Sequence, residues 1–148
     1  MLREEYNNIP QKNTIDMLDY KKIVSTAILA GEIMLESNAE TYRVEDVMNR
    51  ILKISNLNTS EAIAITTGLF VTLEDPSIKP ISRVKRITTR TTNLNRIAKV
   101  NTITRRLTSG ACTVDEAYTA LQNINEKQYN PFMKDLAISM IPPFFAIL

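Results

Sequence analysis

Apolar residues recur every three to four positions from Tyr20 onward and predict a first helix. They form two adjacent stripes: Ile23, Ala27, Ala30 and Met34 in one, and Val24, Ile28, Gly31 and Leu35 in the other. An apolar face this broad indicates a helix that is largely buried. Gly31 lowers the helix propensity, so we expect the backbone of another element to approach it closely.

A corner and a second helix are expected next. Asn38 belongs to a residue type that tolerates the left-handed conformation at a helix end, and Ser37 to Glu40 fits the S-x-x-E capping box of a following helix. The second helix should run to about Ser55. Its apolar positions are expected inward and its polar positions mainly outward. The inward set is Val44, Val47, Met48, Ile51 and Leu52, and the outward set is Glu45, Asp46, Asn49, Arg50 and Lys53.

The period then changes to short β-forming segments. EAIAIT and LFVTL, separated by Thr66-Thr67-Gly68, predict a hairpin whose turn uses a positive φ at the glycine. Asp75-Pro76-Ser77 predicts the next turn, and ISRVKRITT a third strand. The third strand should place Arg83, Lys85 and Ile87 on one face and Val84 and Arg86 on the other.

Helical spacing returns after Asn93, which can cap a third helix that Gly110 ends. Its inward positions are expected to be Leu94, Ile97, Val100, Ile103 or Thr104, and Leu107, with Arg96, Lys99 and Arg106 outward. TVDE, residues 113–116, is a capping box for a short fourth helix. That helix has Ala117, Tyr118, Leu121 and Ile124 on its apolar side. The order predicts an α+β fold of two helices, a small three-stranded antiparallel sheet and a helical hairpin, with the helices on one sheet face.

The two ends of the chain fall outside this pattern. Residues 1–18 lack periodicity and predict a flexible leader, without the basic and apolar segments of a secretory signal. Residues 136–148 carry no charge but are fewer than the roughly 20 residues of a spanning helix. They could be a buried core element or, because Pro142-Pro143 would break a core helix, the start of a truncated transmembrane segment. We expect a cytoplasmic α+β domain at 19–130 and the start of that segment at 131–148.

Charge is strongly segregated along the chain. Residues 1–75 hold 7 basic and 12 acidic side chains, whereas residues 76–114 hold 9 basic and no acidic ones. Such a basic segment could face the acidic part of the same domain, an anionic membrane surface, or nucleic acid. No aromatic residue is interleaved with these basic residues, which argues against nucleic acid as a partner.

The residue types exclude several classes of chemistry. The chain has no histidine and a single cysteine, Cys112, so a histidine-based triad, a histidine zinc site and an internal disulfide cannot be built. A reducing, cytosolic compartment fits this usage. The phosphate-binding and nucleophile motifs G-x-x-x-x-G-K-[ST], G-x-G-x-x-G and G-x-S-x-G are all missing. We expect no catalytic residue, no metal and no cofactor, and a protein that is not an enzyme.

Polar residues around the corner leave an alternative open. Glu36, Glu40, Arg43 and Glu45 lie close together in sequence. An arginine among carboxylates suits a small zwitterion, or a hydrolase-like site in which a carboxylate has a shifted pKa. It is equally suited to an ordinary salt bridge. A hydrolase-like or small-ligand-binding domain is therefore the alternative function.

Three stretches of the chain resemble the threonine/serine exporter family. LAGEIMLESNAETYRVEDVMNRI is similar to the family's AG-x-x-LL-x-S-G-A-E-T-x-R-V-E stretch, and TTGLFVTLE to its PTG-centred hairpin. NLNRIAKVNTITRRLTSGACTVDEAYTAL is similar to its N-L-x-x-L-x-x-V-N-x-L-S-R segment and the residues that follow. The likeness covers roughly residues 20–125. Asn38 stands where the family has glycine, and Thr66 where it has proline.

The resemblance implies a secondary transporter that exports small amino acids such as threonine and serine, or a dicarboxylate in split relatives, driven by the proton gradient. This chain would be its cytoplasmic regulatory or assembly domain at the inner membrane, since substrate passage would belong to membrane helices beyond Leu148. Implied partners are the membrane domain of the same or a partner subunit, a small amino acid or dicarboxylate, and a second copy of the chain. The site residues it carries over are Glu40, Thr41, Arg43, Glu45, Thr67, Gly68 and Asn101.

Overall fold

The computed structural model describes residues 17–129, with side chains described as far as Asn125. The elements are α1 (Met17–Glu36), α2 (Thr41–Leu52), β1 (Thr59–Ile65), β2 (Gly68–Glu74), β3 (Ile81–Arg86), α3 (Leu94–Thr108) and α4 (Val114–Tyr129). A 3-10 turn, Lys53–Ser55, extends α2 to its expected end. This order confirms the predicted α+β class. Residues 1–16 of the expected leader and all of the expected segment 131–148 lie outside the described residues.

Helix α1 lies at the centre of the domain and contacts the three other helices as well as β2 and β3. Its apolar residues are buried on nearly all sides, as the double stripe predicts. A Cβ added at Gly31 would lie 2.5 Å from Met48 Sδ and 3.1 Å from Leu69 Cδ1. The expected close approach is therefore present, but side chains rather than a backbone make it. Among the described residues, no helix has the length and apolarity that crossing a membrane requires.

The corner between α1 and α2 is closed by backbone hydrogen bonds. Asn38 has the expected left-handed conformation, with φ 67°. Its N–H donates to the Leu35 carbonyl at 3.1 Å, and the Ala39 N–H donates to the Met34 carbonyl at 3.0 Å, which is the Schellman pattern. The predicted capping box is wrong. Glu40 is the N-cap of α2 without a side-chain cap bond, because Ser37 still belongs to the C-terminal turn of α1 and is buried there.

The sheet has the order β1-β2-β3, with both pairs antiparallel. Thr66 and Thr67 form a two-residue turn, and Gly68 is the first residue of β2, where it pairs with Ile65. The expected positive φ at Gly68 is wrong. A side chain is excluded there for another reason, since a Cβ would lie 3.2 Å from the Lys85 carbonyl oxygen.

The faces of β3 follow the predicted alternation, although the strand ends at Arg86. On the inner face, Arg83 donates to the Ser25 hydroxyl at 2.7 Å and Lys85 lies 3.5 Å from the Glu32 carboxylate. Ile87, beyond the strand, is buried. Val84 points away from the helices and is 70% exposed.

Helix α2 covers the outer edge of β1. The Asn49 side chain accepts a hydrogen bond from the Ala62 N–H at 2.9 Å and donates to the Ala62 carbonyl at 3.4 Å. One turn earlier, Glu45 accepts from the Ala64 N–H at 2.9 Å. The expected outward placement of these two side chains is wrong, because the edge strand offers unpaired backbone groups that they satisfy. The inward set of α2 is buried as predicted.

Helices α3 and α4 form the expected hairpin. Asn93 caps α3 by accepting from the Arg96 N–H at 3.1 Å, and Gly110 ends the helix with φ 81°. Thr113 and Glu116 make both bonds of the predicted capping box. Two positions of α3 are reversed, since Leu94 is 74% exposed and Arg96 only 6% exposed. Arg96 precedes Val100 by four residues and so lies on the same buried stripe.

Candidate functional site at the helix corner

The corner residues are held by the segment that precedes α3. The Thr91 N–H donates to the Glu36 carbonyl at 2.7 Å, and the Asn93 N–H donates to the Ser37 carbonyl at 3.1 Å. The Asn38 side chain donates to the Thr92 hydroxyl at 3.1 Å. These bonds satisfy carbonyls at the C-terminus of α1 that have no partner within the helix. The corner and the start of α3 therefore form one hydrogen-bonded unit.

The Arg96 guanidinium crosses this unit in a buried position. Its Nη1 donates to the Ser37 hydroxyl at 3.4 Å, and its Nη2 donates to Asn125 Oδ1 on α4 at 3.2 Å. Its Nε is buried and has no hydrogen-bond partner. One cation thus links α1, α3 and α4 through neutral acceptors. A buried charge held in this way is costly, and it is the most unusual electrostatic feature of the described residues.

Glu36, the last residue of α1, is an acidic group that interacts electrostatically with the Arg96 guanidinium. Partial burial raises the pKa of the Glu36 carboxyl above its ordinary value, and repulsion from Glu32 adds to the rise. Attraction by Arg96 and Lys85 lowers this pKa but does not cancel the rise. The corner therefore combines a buried arginine with a carboxyl group whose pKa is raised.

The hairpin turn and the end of β3 meet at the same place. The Ile87 N–H donates to the Thr67 carbonyl at 3.0 Å, and Arg90 Nε donates to the Leu35 carbonyl at 3.4 Å. We call this end of the domain the corner end. It consists of residues 35–43, the turn 66–68, residues 86–96, and the turn of α4 that contains Asn125.

The predicted site residues at the start of α2 are exposed. Glu40 and Arg43 form an ion pair with 3.7 Å between Oε2 and Nε, and their side chains are 64% and 62% exposed. The Tyr42 hydroxyl, which accepts from Arg43 at 3.3 Å, contributes most to raising the pKa of Arg43, and Glu40 adds to it. Thr41 is half-buried as the first residue of α2. These residues form a solvated helix surface rather than a ligand cleft.

The remaining predicted site residues occupy different positions. The Thr67 carbonyl accepts a hydrogen bond from the Ile87 N–H, and Gly68 is the first residue of β2. The Glu45 carboxylate accepts a hydrogen bond from the Ala64 N–H at the edge of β1. Asn101 is half-buried in the middle of α3. It lies eight residues beyond Asn93, or about 12 Å along a helix axis. Asn101 is therefore apart from the corner end, which holds or adjoins the other six.

The four residues of the alternative site contact different partners in this structure. Glu40 and Arg43 pair with each other at the surface, and the Glu45 carboxylate serves the backbone of β1. Only Glu36 faces the buried arginine electrostatically. Within residues 17–129 no group of three or more histidine, cysteine or acidic residues is arranged to hold a metal ion.

Two shallow grooves lie on the surface of the described residues. One, of about 280 Å³, is between α3 and α4 and is lined by Ala98, Lys99, Thr102, Ile103 and Ile124. The other, of about 420 Å³, is at the end of the sheet opposite the corner end and is lined by Asn58, Thr59, Glu74, Asp75, Pro76 and Pro80. No predicted site residue lines either groove.

Comparison with known proteins decides the family. The family model described as "Putative threonine/serine exporter" matches residues 25–148, which is most of the chain and includes the corner and Arg96. This chain belongs to the threonine/serine exporter family. Membership confirms the resemblance seen in the sequence.

A curated relative supports the assignment. The chain is 27% identical over 124 residues to the "Probable threonine/serine exporter" of Mycobacterium tuberculosis (strain ATCC 25618 / H37Rv), an alignment that covers 83% of this chain. The chain spans only 23% of the length of that relative. No solved structure matches the chain.

The residues that sequence reasoning missed are Arg96 and its two acceptors, Ser37 and Asn125. Arginine is rarely buried, so the sequence pattern predicts an outward Arg96. Its position four residues before Val100 and eight before Thr104, both buried, was the available signal. Nothing in the local pattern pointed to Asn125, because its role depends on how α4 packs beside α1.

Proposed function

We propose that this chain is the cytoplasmic regulatory and assembly domain of a threonine/serine exporter-type secondary transporter at the inner membrane. Family membership supports the exporter class. The observation that carries the regulatory role is the buried Arg96 link between the motif corner at Ser37 and the end of α4 at Asn125.

The link couples two parts of the domain that matter for such a role. The corner holds the segment most similar to the family, and the uncharged run 136–148 follows α4 in sequence. A shift of α4 away from α1 would take Asn125 from Arg96 and leave a buried cation with one fewer acceptor. Because that loss is unfavourable, the geometry of the corner and the position of α4 depend on each other. The domain would thereby report on, or control, a membrane domain of the same or a partner subunit.

The exported substrate is proposed to be a small amino acid such as threonine or serine, or a dicarboxylate, with the proton gradient as the driving force. The test is efflux from source cells in which the gene is deleted and then restored. Cells are loaded with a threonine- or serine-containing dipeptide, and the amino acid in the medium is followed over time. We expect slower efflux after deletion and recovery after restoration. Unchanged efflux of threonine, serine and dicarboxylates after deletion would overturn the proposal.

A second candidate function, binding of a small zwitterion, is favoured by one observation. The Arg96 Nε lacks a hydrogen-bond partner and Glu36 interacts electrostatically with Arg96, so a carboxylate and an ammonium group would each find an opposite charge at the corner. Calorimetric titration of the purified chain with L-serine and L-threonine tests this function. Arg96→Gln should abolish the heat of binding, whereas Asp46→Asn on the surface of α2 should not. Heats no larger than those of buffer injections would rule this function out.

A further inference from the structure

The outer face of the sheet, which points away from α1 and α2, carries a continuous row of apolar side chains. Ile63, Phe70 and Val84 are directly opposite one another in the strand register. They are 49%, 40% and 70% exposed, and the neighbouring Ile65 is 46% exposed. Single exposed apolar residues are ordinary, but a contiguous set marks a surface that contacts something. We call these four residues the apolar row.

Charges on this face are arranged along the strands. Arg86 is opposite Gly68 at the corner end, beside the apolar row, and it is exposed. Beyond the row, Thr72 and Ser82 are joined by a hydroxyl contact of 3.3 Å. Glu61 is opposite Thr72 in the same cross-strand row, and Glu74 lies one row further, at the end of the sheet away from the corner; both acidic residues are exposed. The half of the outer face nearest the corner is therefore apolar and basic, and the other half is acidic.

The acidic part of the same domain does not neutralise the basic segment 76–114. Among the described residues the structure gives four ion pairs, and only Lys85 with Glu32 includes a residue of that segment. Arg86 takes part in none of the four. The positive charge at the corner end of the sheet is thus available to an anionic surface.

A second copy of the chain fits this face poorly. Four partly exposed side chains form a small patch compared with the roughly 800 Å² of surface that each partner buries in a stable interface. Antiparallel pairing of two β3 edges would also bring Arg83, Lys85 and Arg86 close to the same residues of the other copy. Like charges placed opposite each other destabilise such a pairing.

We propose that the apolar row, with Arg86, binds the surface of an anionic lipid bilayer. Apolar side chains would enter the headgroup boundary while the Arg86 guanidinium meets lipid phosphates and acidic headgroups. The acidic end, with Glu61 and Glu74, would point away from the lipid because like charges repel it. The inference rests on the proposed function only for the presence of a membrane beside the domain.

The chain contains no tryptophan, so Phe70→Trp creates a single local reporter. The 148-residue chain is mixed with vesicles of phosphatidylcholine alone or with phosphatidylglycerol, each with brominated acyl chains that quench nearby tryptophan. We expect a blue shift and strong quenching at position 70 with the anionic vesicles only. The matched reporter Tyr118→Trp, on α4 on the other side of α1, should be quenched at least threefold less.

Two further variants make the test specific. Arg86→Gln, in the Phe70→Trp chain, should reduce the quenching several-fold, whereas Arg105→Gln on α3 should not. Absent quenching at position 70, or equal quenching at positions 70 and 118, would overturn the inference. Quenching insensitive to lipid charge would overturn it too, as would a dimer that Val84→Ser dissociates in sedimentation equilibrium.

The two proposals fail separately. Vesicle contact at position 70 in a protein whose deletion leaves efflux unchanged would contradict the proposed function alone. A loss of efflux after deletion, with no quenching at position 70, would contradict the lipid contact alone.

Discussion

The Arg96 guanidinium lies between Ser37 at the end of α1 and Asn125 on α4, and it donates one hydrogen bond to each. Arg96 and Ser37 are 59 positions apart in sequence, and the bond to Asn125 brings α4 into the same link. Both acceptors are neutral, so the charge is held by dipoles rather than by a carboxylate. An arginine held in this way stabilises one arrangement of three helices more than it stabilises the fold as a whole.

Truncating this arginine should weaken the domain. Arg96→Ala removes two hydrogen bonds and leaves a cavity beside an unpaired Asn125, so we expect a loss of about 2–4 kcal/mol in the free energy of unfolding. Urea denaturation of the purified chain measures it. Arg105→Ala, exposed on the same helix, should change the free energy by less than about 0.5 kcal/mol. Equal effects of the two substitutions would show that Arg96 has no special role.

Glu36 should make stability depend on pH in a defined direction. Its carboxyl pKa is raised above 4.5, so the folded state holds this proton more tightly than the unfolded state. Stability from this group is greatest below the unfolded pKa and is lost as the pH rises through the folded pKa. Compared with the unsubstituted chain, Glu36→Gln should therefore raise the stability of the domain more at pH 7 than at pH 4. Thermal melts at both values check this, and an unchanged difference between them contradicts it.

The edge of β1 should depend on the side chains of α2. Asn49→Ala removes two bonds to Ala62, and Glu45→Ala removes the bond to Ala64. We expect each substitution to cost about 1–3 kcal/mol, because buried backbone groups lose partners. Asp46→Ala, which breaks only the exposed pair with Arg50, should cost less than about 1 kcal/mol. Hydrogen exchange of the Ala62 and Ala64 amides provides a local readout, which should accelerate in the first two variants alone.

The left-handed corner should accept glycine better than alanine. Asn38→Ala places a Cβ-bearing residue without a local polar group at φ 67° and removes the bond to Thr92, so we expect a loss of about 1–2 kcal/mol. Asn38→Gly loses the same side-chain bond but relieves the backbone, and it should be the more stable of the two. Chemical denaturation of both variants compares them. A glycine variant less stable than the alanine variant would show that backbone strain does not govern this position.

The parts of the fold that sequence anticipated are those set by local rules. The helices, the pairing of β1 with β2 in a hairpin, and the Thr113–Glu116 capping box follow from periodicity and from bonds between near neighbours. The Ser37–Glu40 box failed because a Schellman closure kept Ser37 in α1. Ser37 is also buried and accepts a hydrogen bond from Arg96, a tertiary contact that the local sequence pattern does not contain.

The candidate site was harder to anticipate for the same reason. Family likeness led to Glu40 and Arg43, which the structure places on an exposed surface. Among the described residues the buried charged side chain is Arg96, whose partners come from the end of α1 and from α4. Distant packing of this kind leaves only the faint signal of a charged residue on an apolar stripe. Similarly, periodicity predicts that Glu45 and Asn49 face solvent, whereas the packing of β1 beside α2 gives both side chains backbone partners.

In the proposed function, the Arg96 link controls export. The most direct measurement is threonine and serine efflux from dipeptide-loaded cells that carry Arg96→Gln or the matched Arg105→Gln, at equal protein levels confirmed by immunoblot. We predict at least a fivefold lower efflux rate for Arg96→Gln and an unchanged rate for Arg105→Gln. An Arg96→Gln protein that is present at the normal level and exports at the normal rate would contradict the account.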